Sequence, residues 1–423
     1  MSRRSASIRL PAGLIALRER NFVLYTVGQF TSQLGSWIEL TAVSWIVYEM
    51  TNSPMLLGLV GLFRATPTIL LALFGGAIAD RLPRRLLLMC TESTMLVLSL
   101  TLGILAVTGH LEFWHLYFLN FITGTLQAFS VPSRHALFAG LVPREAMSSA
   151  VTMNSVAVRS GGFIGPSIAG LALAFGGYSF PFFINAASFV AMLIALAMMR
   201  LPKTKDAPVK HPPLRKGMAE GVAFVWNTPL LRVALLLELA TGLFGHNTAL
   251  ITIIVRDVLG AGPESLGLLL SATGAGALIG MTLLLTFPIK QHGRLILVFG
   301  VIYAILWAGV GLSEWIWVSA LLLLALGVVD SMWGVTRNTL AQLMATDALR
   351  GRVMSVVMLV TRGSSQLGRV QSGFTVGLIG APAAVLVGAA VVGAAVLASW
   401  RERMPEYIGK PVPPETEESP EQH

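Results

Sequence analysis

The chain is a succession of hydrophobic runs, each about as long as a bilayer is thick, separated by short polar connections. A helix rises about 1.5 Å per residue, so about 20 apolar residues cross a membrane. Lipid cannot satisfy open backbone groups, and no alternating strand pattern recurs, so we predict an all-α membrane protein. Twelve spans are expected, at 22 to 50, 55 to 79, 86 to 108, 113 to 139, 149 to 174, 178 to 200, 229 to 256, 264 to 287, 294 to 312, 315 to 342, 352 to 377 and 381 to 400.

Lysine and arginine residues divide the connections into two sets. Basic residues fill one set and both tails, whereas the other set contains neither Lys nor Arg. Because basic loops stay on the cytoplasmic side, this pattern predicts a multi-pass protein of the bacterial inner membrane with both termini cytoplasmic. The connections without a basic residue are 51 to 54, 109 to 112, 175 to 177, 257 to 263, 313 to 314 and 378 to 380.

A polar stretch with several prolines interrupts the apolar rhythm at 201 to 228 and predicts a linker between two six-helix bundles. Within it, an amphipathic segment near 214 to 226 either lies on the membrane surface or forms a solvated connection. The C-terminal tail is rich in Pro and Glu and is expected to be disordered. The predicted division begins with a cytoplasmic N-terminal segment (1 to 21) and a first bundle (22 to 200). A cytoplasmic linker (201 to 228), a second bundle (229 to 400) and a cytoplasmic tail (401 to 423) follow.

Composition disfavours other classes of protein. Hydrophobic residues make up 54% of the 423 residues and charged residues only 12%, against about 25% in soluble domains. The net charge of +9 is carried by loops between spans, where membrane lipids account for it, so we predict no nucleic-acid partner. One cysteine, Cys90, permits no intramolecular disulfide, and no cluster has metal-ligand spacing. We therefore expect no metal, no cofactor, no catalytic residue and no enzymatic activity.

A weak internal repeat relates the two halves with an offset of 203 residues. In this register Arg134 matches Arg337, and Gly170 matches Gly373. A parallel repeat of this kind is typical of transporters whose site lies between two bundles near the bilayer midplane.

The connection between the second and third spans carries a charged motif, GAIADRLPRR. It resembles the signature loop of the major facilitator superfamily, with Pro83 in place of a small residue. The later copy, between the eighth and ninth spans, reads TFPIKQHGR and lacks the aspartate. The resemblance implies a switch between conformational states, formed by Gly76, Asp80, Arg81, Arg84 and Arg85.

The segment GGFIGPSIAG in the fifth span is similar to the antiporter motif of facilitator-family exporters, with an alanine at one glycine position. Small residues also permit ordinary close packing, and a proline kinks a helix. The residues that carry the motif are Gly161, Gly165, Pro166 and Gly170.

Two further segments, RNFVLYTVGQFTSQLGSWIELTAVSWIVYEMTNSP and RGRVMSVVMLV, resemble the drug and siderophore exporter branch, which includes macrolide-efflux proteins and the enterobactin exporter. This resemblance implies a proton-driven antiporter with spans 1, 4, 7 and 10 around its cavity. One departure is Asn120, which stands before Gly124 where many proton-coupled exporters carry an arginine. Proton coupling must then be sought elsewhere.

Ionisable residues inside spans cost several kcal/mol unless they are paired or face water, so they are candidates for proton coupling. Counting residues from the connections places Glu39 level with Arg64, and Asp330 level with Arg362. We predict two ion pairs, each of which alternatively serves only to fix helix register. Further intramembrane candidates are Arg159, which matches Arg362 in the repeat, Glu238 and Arg369.

Four further polar and aromatic residues are candidates for the substrate cavity, and two others have structural interpretations. Glu92 is expected near the membrane interface beside loop arginines, and His246 is expected to make a polar helix contact. The candidates for the lining of the substrate cavity are Trp37, Asn120, Gln127 and Trp333.

These features lead to one hypothesis and two alternatives. The chain is interpreted as a monomeric secondary transporter that exports an amphipathic molecule, such as a drug, macrolide or siderophore, in exchange for protons. Import of a small metabolite is the first alternative, which polar clusters on spans 1, 4, 7 and 10 would favour. A non-transporting membrane sensor is the second, although no soluble output domain is evident.

The distribution of basic residues generates a prediction about topology. After Cys90→Ser, single cysteines at positions 110, 178 and 314 should react with an impermeant maleimide in intact cells, and cysteines at positions 84 and 210 only after lysis. Labelling of position 210 from outside would overturn the arrangement.

Overall fold

The structure, a computed structural model, describes residues 12–79, 82–200, 214–286, 292–346 and 349–400. Within these ranges the chain is helical and contains no strand, as predicted. A short 3₁₀ helix, Ala12–Arg18, precedes the first long helix. The helices are α1 Arg20–Thr51, α2 Pro54–Ala79, α3 Arg84–Val107, α4 Phe113–Ala139, α5 Met147–Gly176, α6 Ser179–Met198, α7 Leu214–Asn227, α8 Pro229–Phe244, α9 Thr248–Ile253, α10 Pro263–Thr286, α11 His292–Leu312, α12 Ile316–Met344, α13 Arg350–Ile379 and α14 Ala381–Trp400.

Nine helical stretches in the described part of the chain are long and apolar enough to cross a membrane, with α8 and α9 counted together. Three other helices, α1, α4 and α13, are 32, 27 and 30 residues long and pack among those nine. These three helices are more polar than the other nine. For example, α13 carries four arginines, Arg350, Arg352, Arg362 and Arg369. Their length and position fit spans whose polar faces are turned away from lipid.

The helices form two bundles, which we call the N-terminal half (α1–α6) and the C-terminal half (α8–α14). In the first, α1 packs on α5 and α6, and α2 on α4; in the second, α12 packs on α10 and α11, and α14 on α11. The most extensive contacts between the halves are those of α5 with α10 and of α2 with α13, and α9 also contacts α1 and α2. We call the side where α1 begins and α14 ends the terminus face, and the other side the opposite face.

Pseudo-equivalent glycines lie at the two crossings between the halves. A Cβ on Gly170 of α5 would lie 2.6 Å from the carbonyl oxygen of Pro263 at the start of α10. A Cβ on Gly373 of α13 would lie 2.4 Å from the carbonyl oxygen of Pro54 at the start of α2. No side chain fits at either position, so the repeat places matching close contacts on the two sides of the molecule.

The rest of the GGFIGPSIAG segment faces in two directions. A Cβ on Gly165 would lie 2.6 Å from Cβ of Trp37, and one on Gly161 would lie 3.3 Å from the backbone nitrogen of Leu34, both on α1. The Pro166 carbonyl instead meets Gly267 of α10. The segment therefore allows α5 to pack closely against both its own half and the other half.

The seventh predicted span, 229 to 256, is interrupted in the structure. Helix α8 ends at Phe244, and α9 begins at Thr248 and continues as a π-helical turn, Ile254–Val258. The Asn247 side chain caps α9 by accepting a hydrogen bond from the Leu250 N–H at 3.0 Å, and it donates one to Ser372 at 2.8 Å. Gly245 and Asn247 are the residues that permit such a break.

The charged motif after α2 is described in part. Gly76 lies in α2, and Asp80 and Arg81 lie outside the described residues, as do positions 1–11, 201–213 and 401–423. Arg84 donates to the Ala136 carbonyl at 3.1 Å, and Arg85 donates to the Ala197 carbonyl at 2.8 Å. These carbonyls belong to the last turns of α4 and α6, where cations are favourable.

Helix α7 occupies the second part of the predicted linker and packs on α8 and α13. Its Glu220 forms a salt bridge with Arg352 of α13, and both side chains are more than a third exposed. The amphipathic segment is therefore docked on the C-terminal half rather than being only a solvated connection.

Two buried ion pairs occupy the matching arginine positions of the repeat. Arg134 on α4 pairs with Glu92 on α3, and Arg337 on α12 pairs with Glu238 on α8. The expectation that Glu92 pairs with loop arginines at the interface is wrong, because its side chain is only 2% exposed and its partner lies inside a helix. Each pair ties neighbouring helices within one half.

The contrast between buried and exposed pairs predicts a difference in stability. Glu238→Gln leaves Arg337, which cannot lose its proton, uncompensated at 6% exposure. We expect a loss of about 3 kcal/mol in the free energy of unfolding, measured by thermal denaturation in detergent.

The matched control is Glu220→Gln, which removes the exposed partner of Arg352 and should cost less than about 1 kcal/mol. Combining Glu238→Gln with Arg337→Met should recover stability. Equal losses for Glu238→Gln and Glu220→Gln would contradict the structural role of the buried pair.

Candidate transport site

Glu39 lies at the centre of a polar cluster inside the N-terminal half. Its Oε2 accepts hydrogen bonds from Ser99 on α3 at 2.7 Å and from Asn185 on α6 at 2.6 Å. Asn185 also donates to Ser99 at 3.2 Å. Arg64 is within electrostatic range of Glu39, but no salt bridge joins these two described residues. Glu39 therefore holds α1, α3 and α6 together.

The predicted pair of Asp330 and Arg362 is not formed in the structure; no salt bridge joins these described residues, and both are exposed. Counting residues gives the depth of a side chain in the membrane but not the direction in which it points. Asp330 instead lies within electrostatic range of His246 and Tyr303, and Arg362 within range of His135 on α4.

His246 and Tyr303 form the centre of an aromatic cluster at the break between α8 and α9. The Tyr303 hydroxyl accepts a hydrogen bond from the His246 N–H at 3.0 Å and lies 2.9 Å from His246 Nδ1. Trp307 donates to the Phe244 carbonyl at 3.2 Å. Trp333 packs edge-on to Tyr303, with ring centroids 5.9 Å apart. The cluster supplies the partners that the broken backbone needs.

The predicted cavity-lining residues have different environments. Trp333 is 2% exposed, so it belongs to this cluster rather than to an open cavity. Asn120 is buried and donates to the Leu116 carbonyl of its own helix at 2.8 Å. Gln127 is half-buried, and Trp37 is half-buried against Gly165. Trp37 and Gln127 are thus the two that retain partial exposure.

Three charged side chains are exposed near the middle of their helices. Arg159 on α5 and Arg362 on α13 each lie about 18 Å from the terminus-face end of their helix, and Asp330 lies about 21 Å from either end of α12. A charge facing lipid at this depth is unfavourable by several kcal/mol. These exposed charges are therefore candidates for the lining of an aqueous cavity.

The opposite face is closed by a polar contact between the halves. Tyr48 of α1 donates to Asp257, and Arg256 donates to the Tyr48 carbonyl at 2.8 Å. The Arg256 guanidinium also lies 5.2 Å from the centre of the Tyr48 ring. Between described residues, the only other side-chain hydrogen bond that joins the halves is the one from Ser167 to Ser271, at 2.6 Å. Its residues also lie in the parts of α5 and α10 nearer the opposite face.

A neighbouring tyrosine belongs to the same closed region. Burial, with Glu49 nearby, raises the pKa of Tyr178 to about 12. Its hydroxyl is therefore protonated at neutral pH. A cavity of about 640 Å³, lined in part by Tyr48, Asp257 and Gly380, lies beside this contact at the opposite face.

Several residues of the site were missed from the sequence. Ser99, Asn185 and Tyr303 are ordinary residues in apolar spans, and no spacing marks them. Arg337 had a signal, since the repeat matches it to Arg134. Asp257 also had one, because it is an acid at the end of a span in a connection without Lys or Arg.

The two bundles of long apolar helices define a multi-pass membrane protein. A model of the transmembrane secretion effector family of the major facilitator superfamily matches residues 12–421, so the chain belongs to that family.

Three similar proteins are a staphyloferrin A transporter, an enterobactin exporter and a multidrug efflux pump. The staphyloferrin A transporter of Staphylococcus aureus is 26% identical, over 79% of this chain and 84% of its own length. The enterobactin exporter EntS of Shigella flexneri is 26% identical, over 74% of each chain. The multidrug efflux pump Tap of Mycolicibacterium fortuitum is 26% identical, over 83% of this chain and 88% of its own. The resemblance to drug and siderophore exporters is confirmed.

Solved structures support the fold. The crystal structure of a D-xylose-proton symporter superposes with a TM-score of 0.71 at 14% identity, covering 92% of this chain and 99% of that one. The predicted major facilitator fold is confirmed.

The contact at the opposite face generates a prediction. Asp257→Asn weakens the acceptor of the Tyr48 hydrogen bond and removes the charge near Arg256, so the closed state should be less favourable. With Ser167→Cys as a reporter in a Cys90→Ser background, we expect labelling by an impermeant maleimide in intact cells to become several-fold faster.

The matched control is Glu314→Gln, which removes an exposed acid at the same face. This variant should leave labelling of the reporter unchanged. Unaltered labelling in Asp257→Asn would show that the contact does not hold the opposite face closed.

Proposed function

We propose that this protein exports an amphipathic small molecule in exchange for protons, by alternating access across the bacterial inner membrane. The observation that carries the proposal is the combination of exposed charges at mid-membrane depth with a closed opposite face. Such a cavity, with access from one side, fits one state of a transporter that alternates between two.

The orientation follows from the positive-inside bias, with the terminus face in the cytoplasm. The three polar helices α1, α4 and α13 then complete twelve spans in two bundles, at 22–200 and 229–400. The cavity is open toward the cytoplasm in this state and receives cargo there. The protein works as a monomer among membrane lipids.

The class of cargo is proposed from the relatives and from the cavity. Two relatives are named for siderophores and one for drugs, all small molecules. Trp37 presents apolar surface, while Arg159, Arg362 and Asp330 present charge. A cavity with both characters suits amphipathic molecules.

Proton coupling is assigned to Asp330. Its carboxylate is exposed to the cavity and lies near His246 and Tyr303, which brace the break in the seventh span. Protonation removes the carboxylate's charge from beside this break, so the two protonation states favour different arrangements of α8, α9 and α12. Glu39, whose Oε2 accepts hydrogen bonds from both Ser99 and Asn185, is the second candidate.

Transport into proteoliposomes with an imposed pH gradient tests the function. A panel of drugs and siderophores should include a compound that moves against its gradient when protons move in the other direction. Uptake in the same direction as protons would indicate an importer instead.

Asp330→Asn tests the coupling residue. The variant should keep exchange of unlabelled for labelled cargo but lose accumulation driven by a pH gradient, because an amide cannot take up a proton. Glu145→Gln, at an exposed acid in the connection before α5, should behave as the unmodified protein. Uphill transport by Asp330→Asn at the normal rate would place the proton site elsewhere, with Glu39 tested next.

A further inference from the structure

Arg369 of α13 occupies an unusual position at the crossing of α2 and α13. A Cβ on Gly61 of α2 would lie 3.0 Å from Cδ and 3.2 Å from Cβ of Arg369, so this side chain lies directly over Gly61. The Arg369 Nε is buried and has no hydrogen-bond partner in the described structure. A buried guanidinium donor without a partner is costly.

A second arginine faces the same place from the other half. Arg64 follows Gly61 by three residues on α2, so it lies on the same side of the helix, one turn further into the membrane. Arg64 and Arg369 are within electrostatic range of each other. Among described residues, neither side chain makes a salt bridge or a hydrogen bond.

The surrounding acids do not neutralise these two cations. Glu39 attracts Arg64 from a distance, but its Oε2 is engaged by Ser99 and Asn185. Asp330 lies beside His246 and Tyr303 in the C-terminal half. Arg159 and Arg362 are also exposed at mid-membrane depth, so in the proposed site the arginines outnumber the candidate acids Glu39 and Asp330.

We propose that Arg64 and Arg369 together bind an anionic group of the cargo, a carboxylate or a group of similar shape and charge. Guanidinium groups present planar pairs of donors that match carboxylate oxygens. Gln366, one turn before Arg369, has a buried side-chain oxygen near Gly61 that has no hydrogen-bond partner in the described structure. In the proposed site this oxygen accepts a hydrogen bond from a hydroxyl group of the cargo.

The site also links binding to conformational change. Arg64 belongs to the N-terminal half and Arg369 to the C-terminal half, so an anion between them touches both. Without the anion, bringing the two halves closer moves two positive charges together and is opposed by their repulsion. With the anion bound, both arginines are attracted to the same partner. The proposal rests on the proposed function for its cargo, but the anion site itself can be measured without transport.

Two xanthene dyes of similar size and opposite charge serve as probes: carboxyfluorescein, an anion, and rhodamine 6G, a cation. Fluorescence anisotropy with the purified full-length protein in detergent should show tighter binding of carboxyfluorescein. Arg64→Gln and Arg369→Gln should each weaken that binding at least about tenfold and leave or improve binding of rhodamine 6G. Arg369→Lys should retain part of the affinity, which a folding defect would not explain.

Arg352→Gln is the matched control on α13, since it removes an arginine that pairs with Glu220 away from the cavity. It should not change binding of either dye. Preference of the unmodified protein for rhodamine 6G, or unchanged carboxyfluorescein binding in both arginine variants, would overturn the proposal.

Two further experiments identify the source of the anion and distinguish failure of the anion site from failure of the proposed transport function. If anionic phosphatidylglycerol vesicles displace carboxyfluorescein in an arginine-dependent way and neutral vesicles do not, a lipid headgroup is the ligand and the cargo assignment fails. If neither dye nor any panel compound is exported by proteoliposomes but arginine-dependent binding persists, the proposed function fails while the anion site stands.

Discussion

The whole arrangement depends on how charge is accommodated at membrane depth. A charged side chain there must be paired, hydrogen-bonded or in contact with water, because lipid offers no partner. Glu92 with Arg134 and Glu238 with Arg337 satisfy the requirement by pairing within one half. Glu39 satisfies it by accepting hydrogen bonds from two helices. These contacts tie the helices of each half together.

Among the described residues, three other charges have no such partner within their half. Arg159, Arg362 and Asp330 are exposed at depths where contact with lipid is unfavourable, which is why the proposed function gives them an aqueous cavity. The crossings at Gly170 and Gly373 have room for no side chain, and backbone meets backbone there. Backbone contacts of this kind, free of interdigitated side chains, suit the alternating access of the proposed function.

Much of this architecture is readable from the sequence, because helix length and hydropathy are local properties. The predicted spans 113 to 139 and 381 to 400 coincide with α4 and α14, and Arg134 and Arg337, which the repeat aligns, both form ion pairs. The partners of charged residues were not predictable in the same way. Depth follows from counting residues, but the direction of a side chain depends on helix rotation, so Asp330 was assigned to Arg362 rather than to the neighbourhood of His246. The break after Phe244 was missed because both segments are apolar.

The two halves of the repeat differ in the partners of their charged residues and in the continuity of their helices. The arginines at 134 and 337 are retained, but their acids come from α3 in one half and from α8 in the other. The C-terminal half alone combines the broken span with Asp330, while Glu39 in the N-terminal half is fixed by Ser99 and Asn185. A ligand that interacts equally with two states shifts neither. In the proposed cycle, cargo held within one half would not favour either state, whereas a group between Arg64 of one half and Arg369 of the other would be sensitive to the distance between the halves.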